Sequence, residues 1–181
     1  RQEKGIDSTS TTETYAQLEL GINNFRWTGT PIYIRTGKAM NRRGTEIGLR
    51  FKRLPRLLFN EQGQLASNKI IFKIQPAEGI ILDLSSKTPG NAIQITNTNM
   101  AFCYRDSFGQ VIPEAYQKLL MDALCGDRTL FVSAEENELS WKTLAHVLED
   151  DRVGFYEKGS VPDPCWGVEW IDFERYSSIC A

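Results

Sequence analysis

The chain has 181 residues, 41% of them hydrophobic and 24% charged, with a formal net charge of −2. That is an ordinary globular composition, with enough chain for one domain or at most two. No apolar run approaches the ~20 residues of a membrane-spanning helix, and the charge balance gives no general attraction to nucleic acid or membrane, so any basic site is local.

The N-terminus, RQEKGIDSTSTTET, has no initiator Met and no apolar core of a signal peptide, which points to a piece of a longer chain. Residues 1–12 are polar and rich in Ser and Thr, and are expected to form a flexible N-terminal segment. From Tyr15 to Ile22 the pattern alternates, with Ala16, Leu18, Leu20 and Ile22 opposite Tyr15, Gln17, Glu19 and Gly21. This predicts a strand with one wet face. Asn23-Asn24 turns the chain, and Phe25 and Trp27 follow as an aromatic pair.

Thr28 to Arg56 stands apart in charge. Ile32-Tyr33-Ile34 has the make-up of a strand, and a second strand reads Ile47, Leu49 and Phe51 on one face. Between Arg35 and Arg56 lie eight of the chain's 21 basic residues, against the single acid Glu46. Gly37 allows a sharp turn or a close approach, and Lys38 follows it at a strand end. Cations on loops held by rigid strands suit a phosphate or polyhydroxyl ligand. Composition alone is equally compatible with a solvated edge strand kept soluble by Lys and Arg.

Leu54 to Ser67 is irregular, with Leu57, Leu58 and Phe59 expected to be buried. Lys69 to Ile74 reads as a strand stopped by Gln75-Pro76, because proline cannot donate to a ladder. Ile80 to Leu84 is its partner, and Ile93 to Thr96 and Ala101 to Tyr104 predict two more short strands. Six or seven strands with short connections make a largely antiparallel sheet. Helices then follow. Pro113 and Gly126 bound a stripe of Tyr116, Leu119, Leu120, Ala123 and Leu124, and Ser133-Ala134-Glu135-Glu136 opens a second helix reaching about Glu149. Beyond Asp151, Gly, Pro and aromatic residues predict an irregular tail pinned by Trp166 and Trp170. Strands first and helices after predict an α+β fold, a large mostly antiparallel sheet with helices packed on one face.

Cys103, Cys125, Cys165 and Cys180 form no C-x-x-C pair, and His146 is the only histidine, so no metal site is expected. The thiols are expected to be reduced and mostly buried, as in a cytoplasmic protein. His146 is expected on the surface of its helix. There is no Walker A loop around Thr36-Gly37-Lys38 and no G-x-G-x-x-G after a strand.

The run IRTGKAMNRRGTEI, Ile34 to Ile47, resembles the C-terminal domain of the glucose-6-phosphate dehydrogenase family. Ser10 to Tyr15 (STTETY), Asn24 to Pro31 (NFRWTGTP) and Phe72 to Gly79 (FKIQPAEG) resemble it too. So do Lys87-Thr88-Pro89-Gly90, Pro113-Glu114-Ala115-Tyr116 with Leu119 to Asp122, and Gly126-Asp127 with Leu130-Phe131-Val132. These landmarks keep the family's order over roughly Thr11 to Trp166. The resemblance implies that residues 13–181 form this domain and that the NADP-binding domain, with the catalytic histidine, lies outside the chain. It implies that Lys38, the basic position Arg43 and Gln75 contact glucose 6-phosphate, and that none of the catalytic residues is here. It further implies a homodimer or homotetramer formed through the sheet; the net charge of −2 leads to the expectation of no nucleic-acid and no membrane partner. The chain alone is expected to be inactive. Some members of the family hold a second, structural NADP beside this sheet. At the corresponding positions this sequence has Ile81 and Asp83, with Lys73 the one retained cation nearby. A non-catalytic assembly module of the same fold remains an alternative, as does an RNA-binding module built on the basic hairpin. Against the RNA module stand the net charge and the lack of an RNP-like aromatic motif.

Overall fold

Alternation along KIIFKIQ, Lys69 to Gln75, places Ile71 and Lys73 on one face of a strand and Ile70, Phe72 and Ile74 on the other. In the computed structural model, which describes residues 4–53, 66–92, 94–109, 115–148 and 153–180, that strand is central to a sheet. The elements run β1 (Tyr15–Gly21), β2 (Pro31–Gly37), β3 (Thr45–Arg50), β4 (Lys69–Gln75), β5 (Gly79–Lys87), β6 (Ile95–Cys103), α1 (Tyr104–Phe108), α2 (Ala115–Cys125) and α3 (Ala134–Leu148). Short 3-10 turns at Cys165–Gly167 and Glu174–Tyr176 follow. Among the described residues every strand pairing is antiparallel, and the fold is α+β. The strands divide into a hairpin β1–β2 and a four-stranded sheet in the order β3-β4-β5-β6, rather than joining in a single sheet.

Two compact units account for the chain. The first takes residues 1–42 and 113–167, and the second takes 43–112 and 168–181. In the first, Tyr15 pairs with Gly37 and Gly21 with Pro31, so the hairpin is in register along its whole length. Asn24 holds the connecting turn, its side-chain oxygen accepting from the Arg26 and Trp27 amides at 3.1 and 2.8 Å. Ser133 caps α3, accepting from the Glu136 amide at 3.1 Å. On the apolar stripes of α2 and α3, Leu119 and Leu144 are partly buried, while Tyr116, Leu120, Leu124 and Trp141 are exposed.

The second unit carries the core. Ile71 of β4 and Ile81 of β5 stand opposite each other in the ladder and are fully buried, and Tyr176 closes over them with Ile171, Phe173 and Ile179. The irregular C-terminal tail is therefore the second layer of this unit. Charged groups are buried with it. Asp83, at 0% exposure, accepts hydrogen bonds from Tyr176 Oη (2.5 Å), Lys69 Nζ (3.1 Å) and Asn97 Nδ2 (3.0 Å). Lys73, at 5% exposure, donates to the carbonyls of Tyr176 (3.3 Å), Ser177 (3.2 Å) and Ile179. A buried ion is tolerable only when it is satisfied in this way.

The structure departs from the sequence expectations at several points. In place of the two short strands predicted at Ile93–Thr96 and Ala101–Tyr104 there is one, β6 (Ile95–Cys103), because the polar run Asn97-Thr98-Asn99 continues the ladder against Asp83, Leu84 and Ser85; Ile93 lies outside the described residues and Tyr104 opens α1. Helix α1 was not foreseen. The predicted burial of Leu57, Leu58 and Phe59 and the helix limits at Pro113 and Glu149 lie outside the described residues. The thiols are not all reduced: Cys103 and Cys180 are disulfide-bonded, with Cα atoms 5.1 Å apart, and Cys125 and Cys165 are exposed rather than buried. Room for the bridge comes from Gly79, the ladder partner of Cys103. A β-carbon there would sit 2.7 Å from Cys180 Sγ and 2.8 Å from the Phe102 carbonyl.

Burial pushes the Tyr176 hydroxyl up to about 12, reinforced by the Asp83 carboxylate it serves. Burial alone would raise Asp83, but the hydrogen bonds from Tyr176, Lys69 and Asn97 together outweigh it and hold the carboxyl below its ordinary range. Asp83's contribution to stability is present above about pH 4 and is lost as pH falls through its lowered native value. Tyr176's contribution is whole below about pH 10 and is lost as pH rises through its raised one. Tyr176→Phe keeps the ring but removes the donor to a buried carboxylate, which costs on the order of 1.5–3 kcal/mol. Urea melts at pH 7 should show that loss, and circular dichroism should show acid unfolding starting at a higher pH than in the parent. Melts that coincide would show that the pair contributes nothing. The disulfide closes a long loop, with partners 77 residues apart in sequence, worth about 2–4 kcal/mol. Oxidised protein should therefore resist urea better than Cys103→Ser, and the two should melt alike once reductant is present.

Candidate functional site

The end of β2 is shaped by steric exclusion. Gly37 faces Tyr15 across the hairpin, and a β-carbon on it would lie 2.6 Å from Tyr15 Cδ2 and 2.8 Å from Met40 Sδ. Only glycine fits that spot. The next residue, Lys38, donates its amide to the Thr14 carbonyl at 2.8 Å, which closes the open end of the hairpin. Its backbone is thus anchored while its side chain is exposed, and the ammonium has no hydrogen bond or ion pair among the described residues. A cation on a fixed Cα with a free head is suited to a mobile, strongly hydrated anion.

In the second unit the chain enters β3 at Thr45, whose ladder partner is Gln75, the last residue of β4. The register slips between Thr45 and Glu46, a bulge of the kind that re-aims side chains at a sheet margin. Arg43 lies two residues before Thr45, so Arg43 and Gln75 come to the same end of the β3–β4 pair. Both are exposed and have no side-chain partner among the described residues. Guanidinium and amide together offer fixed donors and one acceptor, a set that matches phosphate oxygens and sugar hydroxyls. Arg42 differs from its neighbour in being half-buried and already engaged within the chain.

Of the three residues predicted to bind substrate, Arg43 and Gln75 are brought together by strand pairing. Lys38 belongs to the first unit, the division of the chain falling between Arg42 and Arg43. His146 is exposed on α3. Among the described residues no group of three or more His, Cys, Asp or Glu side chains could hold a metal ion. A groove of 510 Å³ in the first unit runs between Leu20 of β1 and Leu139, Thr143 and Leu144 of α3. Its charged lining residues are Glu135 and Glu136, which repel an anion.

The positions that correspond to a second, structural dinucleotide do not fit one. Lys73 is committed to three carbonyls of the chain's own tail, Ile81 is sealed beneath Tyr176, and Asp83 brings a buried negative charge. Among the described residues, phosphates would meet a carboxylate and no uncommitted cation on that face. Sequence reasoning also missed Tyr156, which lies in the irregular stretch after α3 and whose hydroxyl donates to the Lys38 carbonyl at 2.7 Å. The only signal for it was the aromatic and glycine content of Gly154-Phe155-Tyr156 and Gly159.

Comparison with known proteins gives a consistent result. Residues 1–165 match the family model described as glucose-6-phosphate dehydrogenase, C-terminal domain. A Mycobacterium bovis protein named glucose-6-phosphate 1-dehydrogenase 2 is 42% identical over 173 residues, which are 92% of this chain and 33% of that protein. Glucose-6-phosphate 1-dehydrogenase of Borreliella burgdorferi is 42% identical over 138 residues, 76% of this chain and 29% of its own length. Among solved structures, glucose-6-phosphate dehydrogenase in complex with its substrate glucose-6-phosphate superposes with a TM-score of 0.73 at 36% identity, over 80% of this chain and 30% of that one. The Mycobacterium avium enzyme gives a TM-score of 0.75 at 31% identity, covering 87% and 33%. The chain thus spans about a third of the length of the curated relatives it matches.

Proposed function

This chain belongs to the glucose-6-phosphate dehydrogenase family, as its C-terminal domain, and from that premise we propose that it is the substrate-contacting and assembly part of an enzyme that oxidises glucose 6-phosphate to 6-phosphogluconolactone with NADP, in the oxidative pentose phosphate pathway of the cytoplasm. Residues 13–181 form that domain. The remaining two thirds of such a protein hold the coenzyme and the groups that move the proton and the hydride, so this chain by itself reduces no NADP. Lys38, Arg43 and Gln75 contact glucose 6-phosphate, the cations directly or through water, and none of them transfers the proton or the hydride.

The observation that carries this reading is a pair of exposed cations, Lys38 directly after β2 and Arg43 two residues before β3, neither with a side-chain partner among the described residues, and Gln75 at the same end of the β3–β4 pair as Arg43. A solved relative described as bound to glucose-6-phosphate adds support. Assembly as a homodimer or homotetramer is supported by the face of the four-stranded sheet that points away from the tail. Alternation puts Ile47, Ile74, Met100 and Phe102 there, all exposed. A non-catalytic assembly module would keep this face and have no use for the cations.

In the intact enzyme, losing a charge-assisted contact to an anionic substrate costs on the order of 1.5–3 kcal/mol, or roughly ten- to a hundredfold in kcat/KM. Lys38→Ala and Arg43→Ala should raise KM for glucose 6-phosphate by that order and leave KM for NADP nearly unchanged. Arg42→Ala should stay close to the parent. An equal loss in Arg42→Ala would assign the effect to the diffuse field of the basic hairpin, and no loss in either test variant would favour the assembly module. Light scattering should find self-association that Met100→Glu weakens, because a carboxylate would then have to be desolvated in the contact. A parent that stays monomeric over a wide concentration range would refute assembly through this face.

A further inference from the structure

Lys38 sits on a turn that its own sequence does not stabilise. Ala39 has φ of 50°, in the left-handed region that a β-carbon disfavours, and a residue stays there only where its surroundings hold it. The hold comes from a segment more than a hundred residues further on. The Gly159 amide donates to the Ala39 carbonyl at 2.8 Å. Tyr156 Oη lies 2.7 Å from the Lys38 carbonyl and 3.1 Å from both the carbonyl and Oγ1 of Thr14. A phenol has one proton to give. The shortest contact assigns it to the Lys38 carbonyl, which leaves the Thr14 hydroxyl to donate to Tyr156. The Tyr156 ring packs on Tyr15, centroids 5.6 Å apart and tilted by 53°. The strap is fixed downstream as well: Gln17 donates to the Asp163 carbonyl at 3.0 Å and accepts from the Cys165 amide at 3.0 Å. Every one of these contacts lies within the first unit.

Backbone on both sides of Lys38 is therefore fastened while its ammonium is unfastened. A lysine head placed by its Cα alone is only as well aimed as the turn that carries it. We propose that Tyr156 is a positioning residue for glucose 6-phosphate binding, its hydroxyl fixing the turn that presents Lys38. This rests on the reading of Lys38 as a substrate contact. Tyr156 itself touches neither substrate nor coenzyme. It lowers the conformational freedom that binding would otherwise have to remove, so its effect falls on substrate affinity and passes through Lys38.

The test is a double-mutant cycle in the intact enzyme, read together with hydrogen exchange. Tyr156→Phe keeps the ring on Tyr15 and deletes one neutral hydrogen bond, so KM for glucose 6-phosphate should rise roughly two- to tenfold with kcat and KM for NADP held. In the Lys38→Ala background the same substitution should change KM by less than about twofold, because its effect has nothing left to act through. Exchange of the Lys38 and Gly159 amides, the two that are hydrogen-bonded at this turn, should quicken in Tyr156→Phe, with the rest of β1 and β2 unchanged. A purely structural role would instead lower kcat and thermal stability together and would multiply with Lys38→Ala. That result, or a Tyr156→Phe enzyme with the parent's KM, overturns the proposal. If Lys38→Ala leaves KM unaltered, the assignment of Lys38 to substrate has failed, and the role of Tyr156 in the reaction fails with it. If Lys38→Ala raises KM and Tyr156→Phe leaves amide exchange as it was, the positioning role alone is refuted.

Discussion

The hydrogen bond from Tyr176 to the buried Asp83 carboxylate holds the second unit together. A sheet face carrying Lys69, Lys73 and Asp83 cannot be covered by an apolar layer alone, because each ion taken out of water without partners costs several kcal/mol. The tail meets that demand in two ways. Tyr176 satisfies the acid through its side chain, and the backbone carbonyls around it satisfy Lys73. Once those groups are matched, Ile71 and Ile81 can be sealed beneath the Tyr176 ring and contribute their burial. Apolar packing and polar matching are thus interdependent here. Neither layer could close over the other if Asp83 were left without its donors.

Much of this fold is legible in the sequence where periodicity dominates. Strands β1 to β5 follow from alternation and turn residues, and α2 and α3 from their stripes and from Ser133. What was hidden is what depends on partners far along the chain. Lys73 and Asp83 alternate in phase with Ile71 and Ile81, so pattern alone would send them to water or call the strand ambiguous. Only a tail with carbonyls and a phenol to offer makes their burial affordable. Cys180 could not be paired with Cys103 from spacing, and Gly79 earns its meaning only once β5 and β6 are aligned. The stripes on α2 and α3 show the converse limit: periodicity says which residues want cover, not what supplies it.

The site shows the same division. Gly37, Lys38, Arg43 and Gln75 stand in local motifs and were readable as ligand chemistry from a few neighbouring residues. Their placement obeys local rules too, a glycine that admits no β-carbon and a ladder that ends at a proline. Tyr156 has no local signature. Its hydrogen bond to Lys38 is made across 118 residues, and nothing within its own segment distinguishes it from an aromatic that merely packs.

The tail that completes the second unit also sets an order of events. Residues 43–112 build four strands, yet the layer that covers their charged face arrives only with residues 168–180, after the intervening 113–167 have joined the other unit. On a ribosome moving at about 5–20 residues per second, the sheet would wait several seconds with Lys73 and Asp83 still hydrated. That delay is benign because a wet, charged face is a poor template for sticking to another chain. The same ions that make the finished core demanding would keep the unfinished one soluble.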